Sequence, residues 1–153
     1  MTKHAVAISA IMNGVVSLLQ AAVVGTHPYL FAVPDADIKW GARRIEDCAS
    51  PGVYLEIEST SDEWESTALT KITVTFLVLC TYRDMDPETC AKAIVNLSGD
   101  IEDILGALAT TEISGAARIT RHPGADYLSH ADQSGTIRLS WLRFTAEKSI
   151  VVT

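Results

Sequence analysis

Cysteine is scarce: Cys48, Cys80 and Cys90 are the whole supply, and an odd three fits no closed disulfide framework. No CxxC pair and no paired His/Cys spacing suggests zinc either. Basic residues are also few, with 12 Lys and Arg against 19 Asp and Glu, a formal charge of −7. That balance argues against a surface made to neutralise phosphates, since nucleic-acid affinity comes mostly from Lys and Arg displacing counterions. No GxSxG is present, and nothing orders a His and an Asp around a Ser, so a serine hydrolase has no footing. The apolar run from Ala5 to Val24 is broken by Ser9, Asn13, Ser17 and Gln20. Their spacing of four, four and three lines them up as one polar stripe, which a signal peptide or membrane span does not need.

What remains is an ordinary globular balance, 48% apolar and 20% charged over 153 residues, and one domain spanning 1–153 is expected. The stripe leaves Ile8, Ile11, Val15, Leu18, Leu19 and Ala22 on the opposite side, which predicts an amphipathic helix over 3–24. Gly25 is placed to end it in the left-handed conformation, with Pro28 just beyond. Tyr29 to Val33 reads as a short extended piece, and Asp35 to Ser50 as irregular. Val53 to Glu58 reads as a strand, followed by a long polar connection, Ser59 to Thr70, with Trp64 at its centre.

Lys71 to Arg83 is the most informative stretch. Ile72, Val74, Phe76, Val78, Cys80 and Tyr82 alternate as a core-facing strand should, yet Leu77 and Leu79 on the other face need a cover of their own. A helix over roughly 86–108 follows, with Asp86 as N-cap, Pro87 at its first position and Glu88 against the dipole. Ile94, Leu97, Ile101, Ile104, Leu105 and Leu108 give it one buried face, and Asp100, Glu102 and Asp103 are read as solvent-facing. Ala117 to His122 reads as a strand, interrupted by Pro123-Gly124. Ala125 to Gly135 reads as a loop, and Thr136 to Lys148 as a closing strand with Leu142 and Phe144 opposite Ile137, Leu139 and Trp141.

The order is thus α-β-β-α-β-β, an α+β fold with a mainly antiparallel sheet and two helices packed on one face. The other face would carry Leu77 and Leu79, with Leu142 and Phe144 assigned there too, which is more exposed apolar surface than a monomer keeps. Self-association is the inference.

His122, Asp126, His130 and Asp132 imitate a metal or acid–base cluster, but their spacing matches no ligand geometry and the segment reads as solvated loop. No catalytic, metal or cofactor site is therefore assigned. Interface candidates are Trp64, Leu77, Leu79, Arg43 and Arg44. Trp64 sits in an acidic loop, where an interface and a local packing role weigh equally. Arg43 and Arg44 are open to pairing with a neighbour's acidic groups or to a plain surface role.

The pattern resembles the tail terminator (tail completion) proteins of long-tailed bacteriophages. Its carriers are the N-terminal helix, the irregular segment through Trp40-Gly41, and the strands Val53-Tyr54-Leu55-Glu56-Ile57 and Ile72–Tyr82. The capped helix from Asp86 and a closing strand pair joined through Gly124-Ala125-Asp126 complete it. The resemblance spans nearly the whole chain and implies a structural virion protein, assembled in the host cytoplasm, that forms a hexameric ring on the tail tube. Such a ring stops tube polymerisation and offers the surface to which the head docks. The implied partners are other copies of the chain, the tail tube protein and head–tail connector proteins, with no cofactor, enzyme activity or membrane. DNA would cross the bore unbound: six copies at −7 each give a formal −42. A neck or head–tail joining protein shares these properties. A small ferredoxin-like regulatory or ligand-binding domain is the rival from another class.

Overall fold

The computed structural model describes residues 3–41, 47–106, 118–122, 124–132 and 135–151. In chain order, helix α1 (Lys3–Gln20) leads into the short helix α2 (Pro28–Phe31), a 3-10 turn (Asp35–Asp37) and strand β1 (Ile38–Trp40). Strands β2 (Gly52–Trp64) and β3 (Leu69–Asp84) form a long hairpin ahead of helix α3 (Pro87–Gly106). Strands β4 (Arg118–Arg121), β5 (Asp126–Asp132) and β6 (Gly135–Val151) complete the fold.

The sheet runs β1-β2-β3-β6-β4, and β5 pairs with β6 as well. All pairings are antiparallel except β1 with β2. Arg121 lies opposite Phe144 and Asp126 opposite Trp141, so four residues face two and the β4–β5 edge bulges by two residues. The outermost strand is therefore one interrupted strand folded along β6, with Gly124 at φ +84° in the interruption.

The core lies between the sheet and its helices. Ile72, Val74, Phe76, Val78 and Cys80 of β3 are all buried, as the alternation predicts, and pack with Ala7, Ile11, Met12, Val15 and Leu19 of α1. Ile94, Leu97, Ile101 and Leu105 of α3 close the layer. The Phe76 and Phe144 rings stack with centroids 5.8 Å apart. Behind them Cys80 is wholly buried beside the paired hydroxyls of Ser98 and Ser140, and burial pushes its thiol up to about 12.

Both helices lie on one face, as expected, but several elements differ from the sequence reading. Leu142 and Phe144 face the helices, not the open side, because Val78 pairs with Leu142 and Phe76 with Phe144. Cross-strand partners share a face, so the parity of β3 decides that of β6. The α1 helix ends at Gln20, and Gly25 has no positive φ. Tyr29 to Phe31 is helical, not extended, because Pro28 suits the first helical position and Asp100 caps the turn. Asp100 is only 9% exposed: one carboxylate oxygen accepts the backbone N–H groups of Tyr29 at 2.9 Å and Leu30 at 3.0 Å. The predicted solvent-facing role of Asp100 is wrong, since its carboxylate holds the start of α2.

The Asp86 cap is as predicted, accepting from the Thr89 N–H at 3.3 Å and its hydroxyl at 2.6 Å. Those bonds, the hydroxyl first, hold the Asp86 carboxyl below its ordinary value. Most of the expected 59–70 connection is strand, paired as far as Trp64 with Thr70. The expected 125–135 loop is likewise largely strand β5. Leu108 lies outside the described residues. No helix among the described residues is long and apolar enough to cross a membrane.

Candidate assembly surface on the open sheet face

The face turned away from the helices is built by the odd-numbered residues of β3 and β6. At one end it is already covered by its own chain. Thr81 Oγ1 donates to the Ala49 carbonyl at 2.7 Å, and the Ala49 N–H donates to Tyr54 Oη at 2.7 Å. Ser50 Oγ accepts from the Arg83 N–H at 2.8 Å, next to a cis Ser50–Pro51 bond. Gly52 permits this close lay: a Cβ there would stand 2.9 Å from both Ala49 O and Thr81 Oγ1. Tyr54, Thr81, Ile137 and Leu139 at this end are all buried.

Beyond that strap the face is open. Leu77 and Leu79 are half-buried, with Trp141 half-buried directly opposite Leu79. The described helices all pack on the other side, so neither leucine lies beneath a helix. Arg143 pairs with Leu77 in register and grips Glu58 through Nε at 2.6 Å and Nη2 at 3.0 Å. This bidentate bond, and then the charge of Glu58, raises the Arg143 pKa further above its ordinary value. Further along, Thr75 and Thr145 meet at 3.4 Å, and His122 Nε2 lies 2.7 Å from Thr145 Oγ1.

The bulge adds a concavity of about 450 Å³ to this face, lined by Leu77, His122, Gly124, Ala125, Asp126, Trp141 and Arg143. Its walls are apolar at Leu77, Ala125 and Trp141 and charged at Asp126 and Arg143. His122 and Asp126 thus come to one place. His130 and Asp132 fall on β5, and their side chains are outside what is described.

Trp64 ends β2 at the tip of the hairpin and is 71% exposed. Its strand partner Thr70 is on the helix-covered side, so Trp64 sits on that side of the sheet, opposite the concavity. Neighbouring tip charges are engaged within the chain: Glu63 with Lys71, Asp62 with His4, and Glu65 with the Ser149 hydroxyl. Arg43 and Arg44 lie outside the described residues. Sequence reasoning missed Trp141, Arg143 and the concavity. The signal was present in Pro123-Gly124 within a strand, which marks a bulge as readily as a loop.

No family model matches this chain, and no curated protein matches it. Among solved structures, the fold is similar to a chain from the "Virion of native gene transfer agent (GTA) particle". The two superpose with a TM-score of 0.58 over 94% of this chain and 97% of that one, at 20% sequence identity. The likeness shows a shared α+β fold over nearly the full length of both chains.

Proposed function

We propose that this chain is a structural subunit of a phage-like particle, a single-domain tail terminator that assembles into a ring on the end of the tail tube. The observation that carries the reading is a one-layer sheet with helices on one side and half-buried Leu77, Leu79 and Trp141 on the other. Such a face is completed by another polypeptide. The full-length fold likeness to a chain of a gene transfer agent virion supports a virion setting. The ring stops tube growth by covering its last layer, presents the docking surface for head–tail connector proteins, and lets DNA pass through an acidic bore. It does this by shape and adhesion, without enzyme activity or cofactor.

The test is to add the protein to polymerising tail-tube subunits and measure tube lengths by electron microscopy. Shorter tubes with capped ends support termination. Unchanged lengths and ends refute it, and binding to DNA-filled heads in place of tubes would instead identify a head–tail joining component.

A further inference from the structure

We propose that Trp64 at the hairpin tip of one copy inserts into the β4–β5 concavity of the next copy, making a head-to-tail contact. The inference deepens the ring-forming reading by naming its two contact patches.

Three observations converge on it. The concavity offers what an indole takes: apolar walls at Leu77, Ala125 and Trp141, and a carboxylate at Asp126 to accept the indole N–H. It also offers the Arg143 guanidinium for the ring face. A volume of about 450 Å³ accommodates the side chain. Trp64 is a large aromatic left 71% exposed at a tip where β6 runs beside β3 as far as Leu69 opposite Val151, so its backbone is held by a three-stranded sheet.

Geometry then selects the occupant. Trp64 pairs with Thr70, and Leu77 lies seven residues further along β3, about 23 Å away at strand rise. The indole and the concavity are also on opposite sides of the sheet, so no chain can fill its own site. The same opposition excludes a reciprocal two-fold dimer, in which each copy would have to present both sides of its sheet to the other. One insertion leaves a free tip at one end and a free concavity at the other. Such a heterologous contact propagates until a ring closes.

The contact is tested with single defects in each patch. Trp64→Ala removes the tip, and Ala125→Trp fills the concavity from within. Wild type is expected to sediment as species larger than a dimer, each variant alone as monomer with its circular dichroism unchanged. An equimolar mixture is expected to stop at a one-to-one dimer, because each component contributes one sound patch. Trp64→Ala is expected to weaken self-association about 30-fold.

A wild-type chain that stays monomeric up to about 1 mM overturns the proposal. So do single variants that assemble like wild type, or a mixture that restores the wild-type size. If Ala125→Trp does not fold, Glu65→Cys mixed with Ala125→Cys replaces it. A disulfide between those positions of different copies is expected by mass spectrometry, and its absence overturns the contact. Tube termination is measured separately, so either idea can fail alone.

Discussion

Replacing Asp100 isolates a buried carboxylate that ties α3 to α2. A single oxygen, Oδ2, accepts both the Tyr29 and Leu30 N–H groups. Hydrogen bonds to a charged group are worth about 1.5–3 kcal/mol each. Part of that gain is offset by the cost of burying the carboxylate, which alanine relieves. Asp100→Ala is therefore expected to cost about 3 kcal/mol, because it also orphans the buried Leu30 N–H. For a chain of this size that corresponds to a melting temperature lower by about 6–12 °C.

Asp100→Asn keeps a carbonyl oxygen able to occupy the same position, now as a neutral acceptor worth about 1 kcal/mol per bond, so its expected cost is about half that of alanine. Urea denaturation with linear extrapolation measures both costs, and calorimetry checks the temperatures. An Asp100→Ala variant within about 0.5 kcal/mol of wild type would refute the argument that this carboxylate organises α2. Equal costs for the two variants would refute the share assigned to a neutral acceptor, by placing the whole effect in the charge.

Leu77→Asp or Leu79→Asp is expected to leave the subunit folded by circular dichroism. Each is expected to weaken self-association at least about 30-fold in analytical ultracentrifugation, because a carboxylate would be desolvated in the contact. Gly52→Ala is expected to cost about 1–3 kcal/mol in chemical denaturation, since the new methyl group must displace the Ala49 carbonyl or Thr81. Cys80, with its thiol raised to about 12, is expected to resist a thiol reagent at pH 8 until the protein unfolds, whereas half-buried Cys48 reacts in the native state. Mass mapping of the labelled peptides checks this, and native-state labelling of Cys80 would contradict its burial.

Local physics in the chain determined much of this protein. The alternation from Ile72 to Tyr82 determined which face of β3 meets the core, and the polar stripe of α1 determined which side of that helix meets water. Asp86, Pro87 and Glu88 determined where α3 starts. These are short-range signals, written within a turn or two of where they act. Tertiary structure alone decided the rest. Leu142 and Phe144 went to the helix side because cross-strand register with Val78 and Phe76 is a long-range choice. Asp100 became a buried cap because α2, seventy residues away, arrived beside it. The concavity exists because β4, read as a strand, and β5, read as loop, fold along one neighbour with two extra residues between them. Pairing partners far apart in sequence leave no periodicity for the eye to find, so only the assembled sheet could place them.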